Sequence, residues 1–214
     1  MKNKSIVLVS LAILFAVFTA LVISYENKSN QNIEKLSYTS TPFIREHSTV
    51  FGDNKKNVYV VEFIDPECES CALYHKVVKE LYRNYYEDIQ IVVRYLDNHK
   101  NSKYAIKILE ASKKQNMYQA VLDKIYESQG VWAQHNNEKP ELLWEELKDV
   151  PSLNLKKLRA DFEKINVDNI LKLDREDATK LKVRGTPTLF VNGEKLKRLS
   201  YKDLFDLVES KLYK

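Results

Sequence analysis

The chain has 214 residues, 44% of them hydrophobic, and its 34 Lys and Arg against 30 Asp and Glu leave a formal charge of +4. That is enough apolar material for one large domain or one domain with an insertion, and the small positive excess is spread along the chain without a dense basic run, so no nucleic-acid partner is expected. Both cysteines stand in a single pair, which excludes a disulfide framework and a four-thiolate zinc site.

Lys2 and Lys4 precede an uncharged apolar run from Ile6 to Ile23. A positive flank before a stretch close to the ~20 apolar residues that span a bilayer reads as a signal-anchor or signal peptide over residues 1–24. A small-residue cleavage site is not clear, which favours a retained transmembrane helix holding the protein to the membrane through residues 6–23. In either case the lysines stay on the cytoplasmic side and the rest is exported. Residues 25–42, rich in Asn, Ser, Lys and Gln, read as a polar tether. Phe43 to Phe51 is expected to form a short first strand containing His47.

Val58 to Ile64 is β-branched and aromatic apart from Glu62 and predicts a buried strand, ended by Asp65-Pro66. Apolar residues then recur at helical spacing through Leu73, Val77, Leu81 and Tyr85, flanked by Val78 and Tyr82. Cys68 therefore falls at a helix N-terminus and Cys71 one turn inside. Unpaired N–H groups at a helix start favour a thiolate, and two thiols a turn apart can close a disulfide or resolve a mixed one. Ile89 to Tyr95 predicts a second buried strand, so that strand, helix and strand make a βαβ unit with a parallel pair.

Residues 99–182 carry successive helical patterns and no strand signal, and read as an inserted helical subdomain between the two parts, 43–98 and 183–214, of the main domain. Trp132 and Trp144 within it are expected in the core or lining a groove. Thr188 to Val191 predicts a third strand, Asn192-Gly193 a hairpin turn and Leu196 to Leu199 the returning strand; Tyr201 to Leu212 closes the chain as an amphipathic helix.

A βαβ unit bearing C-x-x-C, a helical insertion, and Gly185-Thr186-Pro187-Thr188 ahead of a hairpin and terminal helix resemble a thioredoxin fold. With the insertion and the export segment, the chain is similar to the DsbA-type thiol-disulfide oxidoreductases of bacterial envelopes over about residues 43–214. The fold class is thus α/β: a thioredoxin fold with a helical insertion, preceded by an N-terminal transmembrane or signal helix. The resemblance implies that Cys68 is the attacking thiol and Cys71 the resolving thiol. It implies that Pro187 is the family's cis-proline, with Thr186 before it binding an extended substrate segment. It also places Glu62 as the buried carboxylate beneath the disulfide, where desolvation would raise its pKa and let it exchange a proton with Cys71.

The implied function is an extracytoplasmic protein thiol-disulfide oxidoreductase, its electron direction open, with no small-molecule cofactor. Its implied partners are exported proteins bearing thiols or disulfides, and a membrane or soluble redox partner that recycles the pair. The implied location is the periplasmic or extracytoplasmic face of a bacterial cell envelope, anchored to the inner or cytoplasmic membrane. The chain departs from the family's strongest oxidants, whose pair encloses Pro-His, because here it encloses Glu69-Ser70. Carboxylates at Glu67 and Glu69 should oppose the Cys68 thiolate and make the couple less oxidising.

Two other readings stand beside this one. An envelope copper- or zinc-binding protein could use the same pair, with His75 one turn past Cys71 as a third ligand; otherwise His75 is a solvated helix histidine. A redox-inert binding module would carry a permanent Cys68–Cys71 disulfide. His47, His99 and His135 have no ligand-like spacing, and Ala72 after Cys71 disfavours covalent haem attachment.

Overall fold

The structure, a computed structural model, describes residues 11–25 and 37–214. Residues 11–25 form helix α1, with mostly exposed side chains. Among the described residues no helix is long and apolar enough to cross a membrane. The span expected over residues 6–23 lies outside the described residues at 6–10, as does the tether at 26–36.

Tyr38–Lys214 forms a compact unit of its own. Its sheet has strands β1 (Thr49–Phe51), β2 (Val58–Ile64), β3 (Ile89–Tyr95), β4 (Thr188–Val191) and β5 (Glu194–Lys195), in the order β1-β3-β2-β4-β5. β2 and β3 run parallel, with Val58 opposite Ile89 and Ile64 opposite Tyr95, and the other neighbours are antiparallel. A parallel pair needs a long crossover, which helix α2 (Glu69–Tyr85) supplies. Between β3 and β4 lie α3 (Ser102–Ser112), α4 (Tyr118–Glu127), α5 (Gln129–Trp132), α6 (Leu143–Glu146), α7 (Leu155–Lys164) and α8 (Asp168–Lys180). Helix α9 (Tyr201–Leu212) ends the chain, its start capped by the Ser200 hydroxyl accepting from the Asp203 N–H.

Side chains alternate across a strand, so β2 sorts its residues between two cores. Val58, Val60 and Ile64 join Val78 and Leu81 of α2 and Leu204 and Val208 of α9 in the larger cluster. Val61 and Phe63 face the other way, where the rings of Phe43 and Phe63 meet Phe190 of β4 edge-on. Glu62 shares the first face, so its carboxyl points towards α2.

Three expectations need correction. The buried face of α2 carries Cys71, Tyr74, Val78 and Leu81, and Leu73 is 72% exposed; the true stripe is the one facing Glu62 and α9. The first strand shrinks to three residues because Phe43 is held in a turn, its N–H bonded to the Ser40 carbonyl. The return strand is Glu194–Lys195, directly after Asn192 and Gly193 at φ 47° and 83°, the left-handed pair that suits a tight hairpin. Trp132 and Trp144 are buried and satisfied, their indole N–H groups donating to the Ile125 carbonyl at 2.9 Å and the Tyr104 hydroxyl at 2.7 Å.

On the second face the sheet is locked to α8 by charge. The fully buried Arg94 guanidinium donates to Asp174 at 2.6 Å, to Asp177 at 2.8 Å and to the Pro42 and Phe43 carbonyls at 2.9 and 2.8 Å. Arg45 reaches Asp177 and His47 reaches Asp174 from the segment before β1. Burial opposes ionisation of Asp177, but its hydrogen bonds to Arg45 and Arg94 outweigh that and hold its carboxyl below the usual range. A depressed carboxylate contributes stability above its unfolded pKa and loses it as pH falls through the folded one. Arg94→Leu leaves two carboxylates buried without their main partner. It should cost about 3–5 kcal/mol in urea unfolding at neutral pH, less in acid; a loss under about 1 kcal/mol would show that the cluster is not a structural lock.

Candidate active site

Cys68 is the N-cap of α2, with extended φ and ψ of −76° and 120°. Its carbonyl accepts from the N–H groups of Cys71 and Ala72 at 3.0 and 3.2 Å, so the sulfur stands over the opening turn of the helix. The turn leading to it is braced from three sides. Asp65, fully buried, accepts from the N–H groups of Glu67 and Asn98 at 2.9 Å each and pairs with His99 Nδ1 at 2.8 Å. Glu67 accepts from the Asn101 N–H at 2.6 Å and the Asn101 side-chain amide at 3.1 Å. From the insertion, the Gln129 amide donates to the carbonyls of Pro66 and Cys68 at 2.8 and 3.2 Å.

Across from α2, the Thr186–Pro187 peptide bond is cis and leads into β4. The Cys68 Sγ donates to the Thr186 carbonyl at 3.3 Å, which brings residues distant in sequence to one point. Cys68 is 9% exposed and Cys71 only 1%, and both are free thiols. The Cys71 Sγ accepts from the Asp65 N–H at 3.5 Å. Cys68, Cys71, Thr186 and Pro187 are thus gathered at one end of the sheet, and Glu62 lies behind them in the central strand.

The two sulfurs differ in acidity. The hydrogen bond from the Cys71 thiol is the largest effect on Cys68; burial works against it, while Thr186 and the N–H groups of Cys71 and Ser70 add to it, and the thiol is pushed down to about 5. Burial pushes Cys71 far above the ordinary thiol range, and its bond to Cys68 raises it further. Glu62, 4% exposed and with its carboxyl making no hydrogen bond among the described residues, is pushed up to about 7 by desolvation, against a smaller opposing influence from His75.

The flanking carboxylates do not act as expected. Glu67 is turned into the Asn101 loop, and the Glu69 side chain is 71% exposed and pairs with His135. Neither is among the main influences on Cys68, which hydrogen bonds dominate. His75 is not a solvated histidine: Nε2 sits 2.7 Å from Asp123 Oδ1 and the ring packs on Tyr126. Nor does it gather with the cysteines, since no group of three or more His, Cys, Asp or Glu among the described residues is placed to hold a metal ion. Sequence reading missed Asp65, Gln129 and His99. Only Asp65 carried a signal, an acidic residue at a strand end before proline.

The thioredoxin family model matches residues 45–210. A probable disulfide bond formation protein D of Bacillus anthracis is 26% identical over 196 residues, covering 86% of this chain and 84% of that protein. A candidate protein-disulfide oxidoreductase of Rickettsia prowazekii is 28% identical over 206 residues, covering 88% and 75%. Oxidised BdbD from Bacillus subtilis superposes with a TM-score of 0.67 at 22% identity, over 78% of this chain and 94% of that one, a likeness of fold. With its cysteine helix, cis-proline turn and helical insertion, the chain belongs to the thioredoxin family, among the DsbA-type thiol-disulfide oxidoreductases.

Proposed function

We propose that the protein exchanges disulfides with exported substrate proteins through Cys68 and Cys71 and works chiefly as an oxidant. The observation that carries this is the acidic Cys68 sulfur, seated on the first turn of α2 and facing the Thr186 carbonyl at 3.3 Å. A thiolate stable in the reduced form makes the reduced dithiol favourable, and a couple whose reduced form is favoured draws electrons from others.

In the oxidising direction a substrate thiolate attacks Cys68 of the Cys68–Cys71 disulfide. The S–S bond breaks, Cys71 leaves as a thiolate and takes a proton from Glu62. The substrate's second thiolate then attacks the mixed disulfide, leaving Cys68 as a thiolate and the substrate oxidised by two electrons. A redox partner of the opposite sense removes those electrons. In the reducing direction Cys68 attacks and Cys71, giving its proton to Glu62, resolves. Thr186, beside Pro187, would hold the substrate backbone as an added strand next to Cys68. The exported location rests on Lys2, Lys4 and the apolar run from Ile6 to Ile23.

Three measurements bear on this. Alkylation of Cys68 against pH should show a midpoint at about 5, with Cys71 unreactive through neutrality; a midpoint near the free-thiol value of ~8.5 would remove the basis for the oxidant direction. The potential against glutathione should fall between the roughly −270 mV of a thioredoxin and the roughly −120 mV of the strongest oxidants. Cys71→Ser should accumulate mixed disulfides with reduced substrate, whereas Cys68→Ser should form none and lose all oxidase activity. Activity surviving in Cys68→Ser would overturn the assignment.

A further inference from the structure

Behind the cysteines a cavity of about 230 Å³ opens onto Glu62, room for more than one water. Its walls include Val78 and Leu122 from α2 and α4, together with His75, Lys79 and Asp123. The same three residues also line a wider groove of about 630 Å³ that runs along α2 past Ala72 to Glu69, next to Cys68. His75 therefore stands in the wall between a surface groove and the cavity that reaches the buried carboxyl. Its orientation is fixed on both sides: Nε2 is 2.7 Å from Asp123 Oδ1, and the ring lies on Tyr126 with centroids 4.9 Å apart. Lys79 holds the other Asp123 oxygen at 2.5 Å. The Tyr126 hydroxyl in this region is buried without a partner.

Glu62 gives or takes a proton each time the pair changes state, yet it is 4% exposed in the middle strand of the sheet. A buried acid that must turn over needs a route to solvent. Imidazole suits such a route, since one ring nitrogen can accept a proton while the other releases one.

We propose that His75, held by Asp123 at the mouth of the Glu62 cavity, is the relay through which Glu62 exchanges its proton with solvent, and so a positioning residue for the Cys71 half of disulfide exchange. The inference rests on the reading of Glu62 as the proton partner of Cys71. In resolution, Cys71 passes its proton to the Glu62 carboxylate and its sulfur bonds to Cys68, and the released substrate thiolate carries away the electron pair of the broken bond. Glu62 then hands the proton, through water in the cavity, to His75, which delivers it to the groove. Oxidation of a substrate runs the same path inward. The charged and titratable groups that line the groove and the cavity with His75 are Glu62 from β2, Glu69, Lys76, Lys79, Tyr82 and Arg83 from α2, and Asp123, Tyr126 and Glu127 from α4. Asp123 is bonded to both Lys79 and His75, and of these three the histidine is the one whose ring can accept a proton on one nitrogen and release it from the other, between Glu62 and the groove.

The test is the release of glutathione from a Cys68–glutathione mixed disulfide, followed against pH in the full chain with a weak, low-concentration buffer. His75→Gln, which can still hydrogen-bond Asp123, should slow release about tenfold below pH 7, where Glu62 begins protonated, and approach the parent rate above it. His75→Ala should behave alike, and added imidazole should restore its rate; alkylation of Cys68 should be unchanged in both. Glu62→Gln should slow release at all pH values and resist imidazole. An unaltered profile in His75→Gln would overturn the relay. So would slowing at every pH that imidazole does not relieve, since that marks a packing defect. If Glu62→Gln also releases glutathione at the parent rate, the fault lies in the reading of Glu62 itself, not in the relay alone.

Discussion

The register of β2 between two neighbours is the constraint from which the site follows. Hydrogen-bonded on one side to β3 and on the other to β4, the strand cannot slip by one residue without turning every side chain to the opposite face. That register keeps Glu62 under α2 and delivers Asp65 and Pro66 to the sheet end where α2 begins. It also sets Phe63 opposite Thr188, which positions the Thr186–Pro187 turn just beyond, within reach of Cys68. The chemistry is concentrated where the central strand stops.

The second feature is the difference between two identical side chains. Cys68, on the rim, gathers hydrogen bonds; Cys71, a turn deeper, meets apolar walls. The deep thiol stabilises its neighbour's charge by donating to it and so cannot be the nucleophile while that charge is present. In the exchange we propose, only when Cys68 is tied up in a bond to a substrate does Cys71 lose its acceptor and need a base, so depth of burial would order the reaction.

Much of the frame was legible in the sequence because its signals are local. The apolar run of β2, the break at Pro66, the cysteine spacing and the hairpin dipeptide Asn192-Gly193 each declare themselves within a few residues. The phase of α2 was not, since Leu73 and Tyr74 are both plausible core residues and only the position of α9 decides between them. Arg94 with Asp174 and Asp177, Gln129 with Pro66, and His75 with Asp123 join residues far apart in the chain, and no spacing rule reports such pairs. The size of the Glu67 effect was misjudged for the same reason: adjacency in sequence suggested strong repulsion, but the carboxylate is turned to Asn101 and hydrogen bonds dominate at Cys68.

One consequence concerns the two residues between the cysteines. The polar groups of the turn before them are committed: the Asp65 side chain to the loop at Asn98 and His99, the Glu67 side chain to Asn101, and the Pro66 and Cys68 backbone carbonyls to Gln129. Glu69 and Ser70 are exposed, and their side chains make no bond within that turn; Glu69 pairs with His135 instead. They form an exposed insert in a rigid mount, so exchanging these two side chains leaves the architecture around the cysteines undisturbed.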